Sequence, residues 1–340
     1  MKRNSIVTKM FSAAVLCSVL WGCSSRTEQG TPVSKDDAVK VERLDLLITE
    51  YPNMKPERQQ QMLDSLRRYW QGWLGIMGMQ PVETESLVKL AGSPVVTAFE
   101  PEVCKAFPDF APYADTIGSA MAAARRDSLR LPDYGYATVV WGNDKSIIVA
   151  DTVMYIALNQ YLGPEHEAYA SFPAFLTQNK RPDMIAYNVL ESALALTYPY
   201  EEPKAGATVL SRMAYEGALS YLKMRLVPEP REARALGFTE AQLADIRANE
   251  GFMWQQLVGR NLLYSTDSEL IDRLMNPAQN SAPISPDAPG RAAVYIGYRI
   301  VCAYMSAHPA TSLRTLLTPA FYASPSLLRR AAYQPAATIH

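Results

Sequence analysis

Apolar residues recur through most of this chain at the three- and four-residue spacing of amphipathic helices, and give way to β-branched stretches over one short block. Val41, Leu44, Leu47 and Ile48 share one helical face. Beyond Pro52 and Pro56, residues 57–79 predict a single long helix striped by Met62, Leu66, Tyr69, Trp70, Trp73 and Met77. Gly72, Gly75 and Gly78 inside it fit close helix packing better than a phosphate loop. Residues 84–90 predict a short helix, and residues 100–110 an aromatic, proline-punctuated connection. A further helix over residues 113–131 turns Met121, Ala122 and Leu129 inward and Arg125, Arg126, Asp127 and Arg130 outward. Residues 134–141, 146–150 and 151–158 form the β-rich block, with Gly142-Asn143-Asp144-Lys145 as a turn between the first two. They read as a hairpin plus a third extended segment.

The second half is helical. After an irregular stretch over residues 159–182, Pro182-Asp183-Met184 opens a helix that runs to about Tyr198, with Pro in its first turn and Asp at its positive end. Residues 204–228 predict one long helix. Thr239 and Gln242 form a capping box for the next, which carries Asn249, Glu250, Met253 and Trp254. Residues 275–289 read as a proline-rich loop, long enough to suggest a function. Pro289-Gly290-Arg291 opens a last major helix through Met305. With no repeat and no linker, residues 37–335 read as a single domain, mainly α with a small β-sheet (α+β).

The N-terminus differs in kind. Lys2, Arg3 and Lys9 precede an apolar run over residues 10–20, too short to span a bilayer as a mature helix. Leu20-Trp21-Gly22-Cys23 resembles a bacterial lipobox, apart from its Trp. The expectation is a lipoprotein signal peptide over residues 1–22, lipidation of Cys23 with palmitate-type acyl chains, and a flexible polar tether over residues 23–36. Ser24 is not the Asp that retains lipoproteins at the inner membrane, which favours the outer membrane, and the residues after it lack a strong acidic export signal, which favours its periplasmic face. Cys104 and Cys302 would then meet an oxidising compartment, as a disulfide or as two buried thiols.

At 48% hydrophobic over 340 residues the chain can bury a large core. Its net charge of −1 argues against a nucleic-acid surface. The three histidines (His166, His308 and His340) have no metal-ligand spacing, so no metal and no cofactor are expected. No G-x-S-x-G elbow is present. What remains is Tyr215-Glu216-Gly217-Ala218-Leu219, at the centre of the helix over residues 204–228. It has the shape of the zinc-peptidase motif H-E-x-x-H, with the Glu kept and Tyr and Leu at the ligand positions. Glu250 on a following helix matches the place of a third ligand. The candidate residues are therefore Glu216, Glu250, Tyr215 and Arg291, read either as structural groups or as groups converging on a cleft.

The lipobox, the segments at residues 156–163, 181–184, 236–243, 262–267 and 287–291, and the positions Tyr169, Pro173, Asn249, Glu250, Trp254, Ile296, Gly297 and Tyr298 together resemble the gliding motility-associated lipoprotein GldB family. The likeness covers roughly residues 131–317. It implies a cell-envelope lipoprotein tied to gliding and type IX secretion, with envelope proteins as partners and a degenerate zincin-like metallopeptidase helical core. Tyr215 and Leu219 at the ligand positions imply a non-catalytic member; the alternatives are an unconventional envelope hydrolase or a peptide- or glycan-binding protein using the cleft around Glu216. Asn159 stands where the family usually has Asp, which implies a charge lost from that cleft. Relatives in bacteria that do not glide make envelope location the firmer implication.

Overall fold

The computed structural model describes residues 32–336. The expected signal peptide, Cys23 and most of the tether lie outside the described residues, as does His340. Among the described residues the chain is docked from Ser34, whose amide donates to Ser119 Oγ at 2.8 Å, and a 3-10 turn follows over Lys35–Asp37.

A short strand, β1 (Val41–Arg43), leads directly into helix α1 (Leu44–Glu50). The apolar spacing predicted helix throughout this stretch. Three residues is too short a run for strand alternation to declare itself. Helices α2 (Pro56–Ser65) and α3 (Arg67–Ile76) replace the predicted single helix. At Leu66 the backbone leaves helical dihedrals (φ −114°, ψ 18°), and its carbonyl accepts the amides of both Tyr69 and Trp70. Met62, Trp70 and Trp73 from the predicted stripe are nonetheless buried. Gly72 is closely packed, but against the β block and not another helix, since a Cβ there would fall 2.2 Å from the Tyr155 hydroxyl; a Cβ at Gly78, where φ is 66°, would meet nothing within 4 Å.

Helices α4 (Thr84–Ala91), α5 (Pro94–Ala106) and α6 (Ala111–Arg126) complete the first half. The predicted connection over residues 100–110 is thus mostly helix, with Pro94 in the first turn and Pro101 inside. The β block gives β2 (Gly135–Val139), β3 (Ile147–Ala150) and β4 (Val153–Ala157) in a four-stranded sheet of order β1-β2-β4-β3. The hairpin is β3–β4, turning at Asp151 with φ 51°. β2 instead runs parallel to both β1 and β4. Every residue of β4 is buried, as a strand covered on both faces requires. Helix α3 packs on β3 and β4, and so does α8 (Ile185–Thr197), which follows the four-residue α7 (Ala174–Thr177).

The remaining helices are α9 (Val209–Leu226), α10 (Glu232–Leu236), α11 (Glu240–Ala248), α12 (Glu250–Gly259), α13 (Ser268–Met275), α14 (Ala292–Ala307), α15 (Pro319–Tyr322) and α16 (Leu327–Ala331). Thr239 and Gln242 form the predicted capping box. The helix it opens breaks at Asn249, however, whose side chain donates to the Asp245 carbonyl and competes with the helical ladder. The proline-rich loop contains a small hairpin, β5 (Asn280–Ser281) with β6 (Ser285–Pro289). Ser281 Oγ donates to the Pro289 carbonyl and accepts the Ala292 amide, which ties that hairpin to the start of α14.

α9 and α14 make the largest helix pairing in the molecule. They cross at Gly217 and Gly297: a Cβ on the first would fall 2.2 Å from the Gly297 carbonyl carbon, and one on the second 1.9 Å from the Met213 carbonyl oxygen. The architecture is mainly helical with a small sheet, an α+β fold. Cys104 and Cys302 are both free thiols, and burial, reinforced by Glu100, pushes Cys104 up to about 11. Among the described residues no helix is long and apolar enough to cross a membrane.

Candidate functional site

Helix α9 begins at a capping box between Thr208 and Ser211. It buries Val209, Met213, Ala214, Ala218, Leu222 and Leu226 among other residues, so its few charged side chains stand out. Arg212, Glu216 and Lys223 lie at spacings of four and seven, which places them on one face. Arg212 donates to Glu216 Oε1 at 3.1 Å. Its guanidinium also lies 4.4 Å from the centre of the Tyr200 ring. Lys223 is only 3% exposed and pairs with Glu191 Oε2, from α8, at 2.8 Å.

Arg291 completes the cluster from the end of β6. It occupies the left-handed region (φ 65°, ψ 18°) at the N-cap of α14, a conformation a side-chain-bearing residue adopts at a cost. Its Nε donates to the Met275 carbonyl at 3.1 Å, and one terminal nitrogen lies 3.9 Å from Glu216 Oε2. The other lies beside Gly237, where a Cβ would sit 3.1 Å from it and 3.2 Å from Asn179 Nδ2. Gly237 also has a positive φ of 79°, which favours glycine there, and a Cβ would press on both side chains. Its carbonyl accepts from Gln178 and Asn179. Segments around residues 178–183, 234–238 and 287–291 therefore meet α8 and α9 at one place.

The two carboxylates of the cluster are pushed apart. Burial raises Glu216 above the ordinary glutamate range; Arg291 opposes this and the Glu191 charge adds to it. Burial also works on Glu191, but attraction from Lys223 and Arg291 and the Lys223 hydrogen bond outweigh it, leaving Glu191 below that range. The cluster holds three cations and two carboxylates, and Glu191, Arg212, Arg291 and Glu216 remain 32%, 26%, 19% and 15% exposed.

Of the four residues singled out from the sequence, Glu216 and Arg291 meet here. Tyr215 points into the core. Its hydroxyl donates to the Tyr198 carbonyl at 2.9 Å, and its ring packs edge-on against Tyr200 and Tyr322. Leu219, at the second ligand position, is 3% exposed. Glu250 is fully buried in a separate network, accepting from Tyr295 and Arg299 on α14, from the Tyr333 hydroxyl and from the Ala336 amide. Glu191, Arg212, Lys223 and Asn179 belong to the cluster although sequence reasoning passed over them. The spacing of Arg212, Glu216 and Lys223 on an otherwise apolar helix was the available signal. Among the described residues no group of three or more His, Cys, Asp or Glu is placed to hold a metal ion. His166 sits against Glu102 and Tyr169, and His308 against Arg330 and Tyr304.

Asn159 is not a pocket residue. It is 1% exposed, accepts the Trp141 amide at 2.9 Å and donates to the Trp141 carbonyl at 2.8 Å. The expected lost charge is instead a closed amide clamp that fixes the end of β4 to the end of β2.

No curated protein and no solved structure matches the chain. Residues 26–335 match the family model described as gliding motility protein GldB. With most of its length covered by that match, the chain belongs to the GldB family, a lipoprotein family associated with gliding motility and the cell envelope.

Proposed function

We propose that this protein is a lipid-anchored component of the gliding or type IX secretion machinery, held by Cys23 at the periplasmic face of the outer membrane, and that it acts by contact with envelope proteins and not by catalysis. The carrying observation is that the three candidate acid–base groups are already committed. Glu216 is held by Arg212 with Arg291 beside it, Tyr215 bonds the Tyr198 carbonyl within an aromatic core, and Glu250 receives four donors inside the fold. A degenerate zincin-like origin is part of this proposal, with Glu216 retained on α9 and the buried Tyr215 and Leu219 at the ligand positions.

Complementation of a null strain tests the reading. Glu216→Gln is expected to restore motility or secretion fully, Cys23→Ser to release the protein from the membrane fraction and fail, and purified protein to carry no stoichiometric zinc. Loss of function with a normally folded Glu216→Gln protein favours the second reading, an unconventional hydrolase. The observation on that side is the opposite displacement of Glu191 and Glu216, the pattern of an acid and a base sharing one site.

A further inference from the structure

We infer that the Arg291 cluster binds the free carboxylate at the C-terminal end of a peptide chain. The inference takes the contact function proposed above as its starting point and names the chemistry of what is contacted. Arg291 uses Nε on the Met275 carbonyl, but its two terminal nitrogens make no hydrogen bond among the described residues; the nearer carboxylate oxygen of Glu216 is 3.9 Å away. A guanidinium four-fifths buried, whose terminal nitrogens face one carboxylate oxygen at 3.9 Å and make no hydrogen bond among the described residues, has capacity left for a bidentate acceptor, and a carboxylate fits that fork best. The backbone strain at Arg291 and the bare Cα of Gly237 hold the fork in position. Charge agrees: Arg212, Lys223 and Arg291 against Glu191 and Glu216 leave one positive charge for one anion to neutralise.

Acceptors lie in the same cluster: Glu216 and Glu191 suit the amide N–H groups next to a chain-terminal carboxylate, and Asn179, whose Nδ2 bonds the Gly237 carbonyl, keeps a buried Oδ1 without a partner. A uronic-acid sugar offers the same carboxylate but wants an open aromatic face. The neighbouring tyrosines lack one: Tyr200 and Tyr322 stack on each other, Tyr215 meets both edge-on, and Arg212 covers Tyr200.

Isothermal titration calorimetry of the purified chain with N-acetyl-trialanine tests this against its C-terminal amide and against glucuronate. The free acid is expected to bind at least about tenfold more tightly than the amide or glucuronate, as loss of a charge-assisted pair implies. Arg291→Lys is expected to weaken the acid about tenfold while keeping the charge, and Arg291→Gln to abolish the preference for acid over amide. Glu216→Gln keeps an acceptor for the ligand's N–H groups but removes the charge that faces Arg291 at 3.9 Å, so it is expected to tighten binding. Its use here separates this inference from the contact reading, which complementation tests in cells. Equal binding of acid and amide, unchanged binding by Arg291→Gln, tighter binding of glucuronate, or no heat with any ligand at millimolar concentration each overturns the assignment. Circular dichroism confirms that the variants fold.

Discussion

Replacing Asn159 by Asp removes the donor that reaches the Trp141 carbonyl and sets a carboxylate against it at a site 1% exposed. An acceptor facing an acceptor in the interior costs about 1–3 kcal/mol. Urea unfolding at pH 7 is expected to show that loss, with partial recovery at acid pH where a protonated Asp can donate; an unchanged midpoint refutes the clamp. The carboxylates of the α9 cluster carry a second expectation. Glu191 lies below the ordinary glutamate range in the fold, so its contribution to stability is present above that range and fades as pH falls through the depressed value. Glu216 lies above it, so it costs stability as pH rises from the ordinary glutamate range to the raised value, and that cost is complete above it. Relative to the parent protein, Glu191→Gln is therefore expected to gain less stability as pH rises from about 3 to 7, and Glu216→Gln to gain more. Thermal melts across that interval that move both variants the same way contradict the assignment.

Helices α9 and α14 cross so closely that their nearest point has no room for a side chain. Gly217→Ala places a methyl against the Gly297 backbone, and Gly297→Ala places one against the Met213 carbonyl. Alanine is the better helix former by about 1 kcal/mol, yet overpacking a rigid crossing costs about 1–3 kcal/mol or more. Net destabilisation is expected in both variants, measured by chemical unfolding; a gain in stability shows that the helices separate easily. This crossing also marks the limit of what the sequence discloses. The long helices were legible from their stripes, and the Thr239–Gln242 cap from its spacing, because both are written within a few residues. The Gly217–Gly297 contact, the parallel pairing of β1, β2 and β4, and the approach of Glu191 to Lys223 join residues far apart in the chain. A lone sequence shows each partner only as an ordinary glycine, valine or glutamate. The 142–145 turn misled for the same reason, since two strands adjacent in sequence are separated in the sheet by β4.

For the molecule as a whole, Glu250 decides how the end of the chain is held. It opens α12, is fully buried, and binds Tyr295 and Arg299 of α14 as well as Tyr333 and the Ala336 amide beyond α16. Trp254, one turn further along α12, meets the Tyr333 ring edge-on at 5.1 Å. A buried carboxylate that loses one charge-assisted donor is left undersolvated, so Tyr333→Phe is expected to cost about 1–3 kcal/mol although its ring still packs on Trp254. Burial and the Glu250 charge hold the Tyr333 hydroxyl protonated far above neutral pH, so this donor persists across the working range. The cost is expected to depend on its partner. In a Glu250→Gln background the same Tyr333→Phe change should cost less, since the acceptor is then neutral, and the shortfall measures the coupling across the fold. Hydrogen exchange separates this latch from simple packing: Tyr333→Phe should raise exchange at residues 333–336 and leave the α9 cluster unchanged. Equal costs in the two backgrounds mean that the C-terminal segment is held by its apolar contacts, with Glu250 satisfied by Arg299 and Tyr295 alone.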